Sequence, residues 1–96
     1  MNRENIYNIC FTHTAKKQFN SLSIKIKKEI AKILEEEIAH NPLLAKPLQG
    51  PLKGLRSQRI GNLRIIYKII KDELTIMVIN LDHRKHVYRT HKSKKK

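Results

Sequence analysis

Ninety-six residues make one small domain and leave no room for a second. Lys and Arg number 21 against 8 Asp and Glu, a formal net charge of +13, yet 40% of the residues are apolar, too many for a disordered polycation, so the chain is expected to fold. The single cysteine, Cys10, excludes an internal disulfide or a cysteine-built zinc cage, which leaves only the core to hold the fold and makes a stabilising protein partner an early expectation.

Tyr7 to Phe11 is a short apolar run and reads as a first strand, with Cys10 expected to fill core. Thr14 is the expected cap of a helix in which Ala15, Phe19 and Leu22 recur at i, i+4 and i+7. A second helix is predicted from Ser23 to His40, because Ile26, Ile30, Leu34 and Ile38 recur every four residues and Ile33 widens the stripe; Asn41-Pro42 ends it. The short serine-containing connection predicts an antiparallel helix hairpin. Glu35, Glu36 and Glu37 oppose the macrodipole near the end of this helix and read as a wet face paired with lysines, in preference to a functional acidic patch.

Pro42 to Gly54 carries all three prolines and two of the three glycines and is predicted to be a loop. Arg56 to Ile60, Leu63 to Lys71 and Leu74 to Leu81 follow as β-rich segments, joined by Gly61-Asn62 and by a turn at Lys71 to Glu73, short enough to force an antiparallel meander. In the middle strand Leu63, Ile65, Tyr67 and Ile69 form an apolar row for the helices, and Arg64, Ile66, Lys68 and Ile70 occupy the other face. The last strand is apolar on both faces and is predicted to be central, flanked by the N-terminal strand. The expected fold is α+β in the order β-α-α-β-β-β, a helix hairpin on a mostly antiparallel four-stranded sheet, with residues 1–91 as the domain and 92–96 as a disordered basic tail.

Charge is concentrated in the second half: residues 1–37 sum to +2 and residues 38–96 to +11. No carboxylate occurs from Ile38 to Lys71, where Lys46, Lys53, Arg56, Arg59, Arg64, Lys68 and Lys71 accumulate. The asymmetry points to a polyanion, most simply nucleic acid, or to an acidic protein that masks it; the plain alternative is solubility alone. The longest apolar runs are far shorter than a bilayer span and the opening residues do not read as a signal peptide, so a cytoplasmic protein without a membrane partner is expected.

There is no glycine-rich phosphate loop, no His-Glu-x-x-His helix and no serine elbow. His83 and His86 would supply half a metal site with no third ligand, so neither metal nor cofactor is expected. What remains is a set of arginines with one tyrosine: Arg56, Arg59 and Arg64 on the first hairpin, and Arg84 with Tyr88 after the last strand. A charged Arg64 on an otherwise apolar strand needs a ligand, a partner or water. Guanidinium groups bind phosphate bidentately and can stabilise a pentacovalent phosphoryl transition state without a metal, while RNA brings its own 2′-hydroxyl nucleophile. Lys53, Lys68, His83 and His86 are further candidates for phosphate or RNA contact. Tyr88, with an unperturbed pKa near ~10, is a base if flanking arginines favour its phenolate, and otherwise stacks on a nucleobase or closes the core.

The wording NPLLAKPLQGPLKGLRSQRIGNLRIIYKI, then TIMVIN and HRKHVYR, resembles the RelE/ParE superfamily of toxin-antitoxin toxins, and FTHTAKKQFNSL resembles its first strand and helix. The resemblance implies the fold read above and, in the RelE branch, metal-free mRNA cleavage in the ribosomal A site. It further implies that Arg64, Arg84 and Tyr88 are catalytic. Well-known members carry two lysines on the strand holding Arg56 and Arg59, so these arginines are substitutes or neighbours, and His83 and His86 are reserve acids or bases. The implied partners are an antitoxin, the ribosome with its mRNA, and operator DNA reached through the antitoxin in a hetero-oligomer. Two other outcomes of the same resemblance stay open: a ParE-like inhibitor of DNA gyrase and a degenerate module that only binds antitoxin.

Overall fold

The computed structural model describes residues 6–83. Its elements are β1 (Asn8–Phe11), α1 (His13–Asn20), α2 (Ile24–Ile33), β2 (Lys46–Pro47), β3 (Arg56–Ile60), β4 (Leu63–Ile70) and β5 (Thr75–His83). Arg84, His86, Tyr88 and the lysine tail lie outside the described residues.

The first helix starts two residues earlier than its sequence suggests. Thr12, extended at φ −71° and ψ 168°, accepts the Ala15 N–H at 3.1 Å, and its own N–H reaches Val78 O at 3.0 Å. One residue thus ends the β1 ladder and caps α1, a double use that helical spacing alone does not reveal. Ser23 caps α2 in the same way, through the Ile26 N–H. Lys27 Nζ lies 5.9 Å from the Phe19 ring centroid, joining the two helices, and Phe19 packs in turn on Phe11 at 5.3 Å.

The predicted second helix does not run α-helical to His40. Leu34–Ile38 form a π-helical turn closed by Ala39 N–H to Leu34 O at 2.8 Å. The wider turn lets two adjacent residues, Ile38 and Ala39, both face inward while Glu35, Glu36 and Glu37 stay exposed.

The sheet is five-stranded, in the order β1-β5-β4-β3-β2, with β1 parallel to β5 and the other pairs antiparallel. The extra strand comes from the proline-rich loop, where Lys46–Pro47 pairs with Ser57 and Arg56. Pro47 has no N–H to offer the ladder, which confines β2 to the sheet edge and to two residues. Gly61, at φ 59°, makes the tight β3–β4 turn, a conformation that favours glycine.

Alternation in β4 places Leu63, Ile65 and Tyr67 in a core with Ala15, Ile30 and Leu34 of the helical layer. In β5 the inward residues are Ile76, Val78 and then Leu81: a register shift pairs Ile66 with Asn80 but Tyr67 with Val78, and the skipped Ile79 reverses the parity. Beyond the end of β1, α1 takes over the edge of β5, where Gln18 accepts the Leu81 N–H at 2.7 Å and donates to Asn80 Oδ1 at 3.1 Å. Cys10 does not fill core. It is exposed, in register with Met77, because Ile9 and Phe11 on either side of it are the residues turned to the helices.

Tyr67 is fully buried, and its hydroxyl donates to Pro42 O at 2.6 Å. Burial pushes this phenol up to about 12, with the nearby Arg56 cation opposing the shift. Tyr67→Phe is therefore expected to cost about 1–3 kcal/mol at neutral pH, since the buried Pro42 carbonyl loses its donor. The native state holds the proton that the unfolded chain gives up near pH 10, so this contribution is complete below that pH and is lost as pH rises through about 12. Urea titrations from pH 7 to 12 should show an alkaline loss of roughly 2–3 kcal/mol in the wild type that the Phe variant lacks; equal alkaline slopes would contradict it.

Candidate nucleic-acid interface

The face of the sheet turned away from the helices is built by alternation and register. Arg59 stands directly opposite Arg64, Ser57 stands between Ile66 and Lys46, and Lys68 is in register with Met77. Lys46, Arg59, Arg64 and Lys68 therefore share one face, drawn from three adjacent strands. Arg59 and Lys68 are exposed and Arg64 is half-buried. A groove of about 430 Å³ is lined by Lys46, Ser57, Arg59 and Arg64, with Leu44 and Leu48 as its apolar wall.

Two of the residues expected at phosphate lie outside this groove. Arg56 is in register with the buried Tyr67 on the helix side of the sheet, where Nη1 donates to Ala45 O at 2.8 Å and to Leu43 O at 3.4 Å. It pins the loop. An offset of three residues in a five-residue strand necessarily puts Arg56 and Arg59 on opposite faces. Lys53 is exposed and lines a separate depression of about 290 Å³ with Arg56 and Pro47. Lys68 keeps to the cationic face but does not line the groove. His83 ends β5 in register with Leu63, and Asp82 before it is in register with Arg64.

Lys46 has a place in the groove that its sequence position did not announce. It sits among prolines with no periodicity to read, and only pairing with Ser57 brings it to the arginines. Like charges directly opposite on neighbouring strands oppose folding by a few tenths of a kcal/mol to about 1 kcal/mol, a cost that Arg59 facing Arg64 carries, while on its other side Arg64 is in register with Asp82. Two guanidinium groups and an ammonium around one depression can hold a phosphodiester bidentately and neutralise charge that develops on it. A second depression, about 600 Å³ between α2 and the Gly61–Asn62 turn, is different in kind: Leu22, Ile26, Ile33 and Ile60 line it together with Glu29 and Glu37. Among the described residues no group of three potential ligands is placed to hold a metal ion, and no helix is long and apolar enough to cross a membrane.

The family described as ParE toxin of type II toxin-antitoxin system, parDE, matches residues 9–88. The chain is 31% identical over 84 residues to toxin RelG of Mycobacterium tuberculosis, covering 86% of this chain and 97% of that one. It is 30% identical over 90 residues to toxin RelE of the same organism, covering 93% of each. The crystal structure of the RelBE2 toxin-antitoxin complex of M. tuberculosis superposes with a TM-score of 0.77 at 30% identity, over 82% of this chain and 92% of that chain. With a fold of two helices on an antiparallel meander and a match spanning most of its length, this chain belongs to the ParE toxin family of type II toxin-antitoxin systems. It is a RelE-like toxin.

Proposed function

We propose that this toxin is a ribosome-dependent mRNA endonuclease that inhibits translation. The observation that carries the reading is the Arg59–Arg64 pair, opposed across two strands on the face away from the core and lining one groove with Lys46. In the proposed reaction the RNA 2′-oxygen forms a bond to phosphorus and the bond to the 5′-oxygen breaks, leaving a 2′,3′-cyclic phosphate and a 5′-hydroxyl. The 2′-hydroxyl proton goes to a base and the leaving oxygen receives a proton. Arg64 holds the phosphate and stabilises its added negative charge. Arg84 is assigned the same task from the segment after β5, Tyr88 the base or a stacking surface, and His83 and His86 the reserve acid or base. Relatives named toxin RelE and the RelBE2 toxin-antitoxin complex support the RelE-like branch, from which this reading is drawn.

A cognate antitoxin is the proposed partner, supported by the structural relative, which is a toxin-antitoxin complex. An acidic, amphipathic antitoxin would mask the +11 half of the chain, and operator DNA would be reached through it. The rival reading is a gyrase inhibitor, favoured by the family description, which names a ParE toxin. Induced expression separates the two. The nuclease reading expects protein synthesis to stop, new mRNA 5′ ends to appear within codons and plasmid supercoiling to stay unchanged; altered supercoiling with intact mRNA would establish the rival.

A further inference from the structure

The apolar wall of the cationic groove is made of residues that a small protein gains nothing by exposing. Leu44 is 68% exposed and points out beside Lys46, while Ala45 between them is buried. The backbone that presents these side chains is held from the opposite side of the sheet. Arg56 donates to the carbonyls of Leu43 and Ala45, Tyr67 donates to that of Pro42, and the Leu44 N–H bonds Asn41 O. Lys46 is then fixed by its pairing with Ser57. A surface leucine and lysine on backbone braced by four hydrogen bonds and a strand pairing are pre-organised, and pre-organisation is a property of binding elements.

Taking the groove as the RNA site, we infer that it contains a nucleotide subsite in which Lys46 holds a backbone phosphate and Leu44 with Leu48 covers the nucleobase. The chemistry is complementary end by end. Cations at Lys46, Arg59 and Arg64 suit the phosphates, and the flat apolar face of an unstacked base suits the two leucines. A volume of about 430 Å³ is of the size that small-ligand sites occupy. Since no carboxylate occurs between Ile38 and Lys71, nothing on these segments repels the strand.

The test uses the full chain, a five-nucleotide RNA made uncleavable by 2′-O-methylation, and the same oligomer without bases, with binding followed across a salt series. Lys46→Met should weaken binding severalfold on both oligomers and reduce the slope of log K against log salt by about 1. Leu44→Ser should weaken binding about threefold to tenfold on the base-bearing oligomer alone. Arg64→Ala is the reference. If it weakens binding while Lys46→Met leaves affinity and slope unchanged, or Leu44→Ser acts equally on both oligomers, the subsite is wrong and the RNA groove stands. If Arg64→Ala binds like wild type, the RNA reading of the groove fails and the subsite falls with it. Circular dichroism of each variant checks the fold.

Discussion

Arg64→Ala is expected to reduce single-turnover cleavage of mRNA on programmed ribosomes by about 10²–10³, with circular dichroism and antitoxin binding unchanged. The size follows from the loss of one positioned donor that holds the phosphate and meets the charge added to it in the transition state, which typically costs a few kcal/mol. Retention of the fold follows from alternation in β4: Leu63 and Ile65 are buried on the helix side, whereas Arg64 faces the groove, so its truncation opens no core cavity. Removing one of two opposed guanidinium groups also relieves repulsion with Arg59. Arg84→Ala is expected to behave in the same way. Tyr88→Phe divides the two roles proposed for Tyr88, since it keeps the ring and deletes the phenol: a base predicts a large loss and a stacking surface almost none. Full cleavage by both arginine variants would remove the groove from the chemistry and return the assignment to gyrase inhibition.

Ile65→Ala, one position along the same strand, is expected to do the reverse. It should lower stability by about 2–5 kcal/mol, because a fully buried side chain at the centre of the core is replaced by a cavity. A domain of this length is stabilised by about 5–15 kcal/mol in total, so the variant should melt well below the wild type and be depleted in cells unless a partner supports it. Whatever fraction remains folded should still present Arg59 and Arg64. Thermal denaturation with and without bound antitoxin measures the effect. A melting temperature within a degree or two of wild type would show that β4 does not face the helices in the register described. The two substitutions together test one physical statement, that period-two alternation divides β4 into a chemical face and a structural face.

Much of this protein was legible before any coordinates. The 3.6-residue spacing of Ile26, Ile30 and Leu34, the alternation of Leu63, Ile65 and Tyr67, and the Gly61-Asn62 turn each report local backbone geometry, and together they defined an α+β meander with a helix hairpin. The placement of Arg64 outside the core was legible for the same reason: it is charged at a position where the local period and the apolar composition leave it no core to join. The RelE/ParE wording then pointed to the family that the similarity over residues 9–88 established.

Tertiary structure decided what local periodicity does not encode. Cys10 is exposed because strand parity outranks apolar surroundings, and Thr12 in place of Thr14 caps α1 because the β1–β5 ladder ends there. The skipped Ile79 reverses the inward face of β5, a consequence of pairing with β4 that no pattern within β5 contains. The same holds for the groove. Arg56 and Arg59 look equivalent as neighbouring cations, but one is spent on the carbonyls of Leu43 and Ala45 and the other faces Arg64. Lys46 enters only because a two-residue edge strand folds out of a proline-rich loop. Sequence carries the conformational preferences of neighbours along the chain; which distant cations share a face depends on register, and register is set by packing between strands.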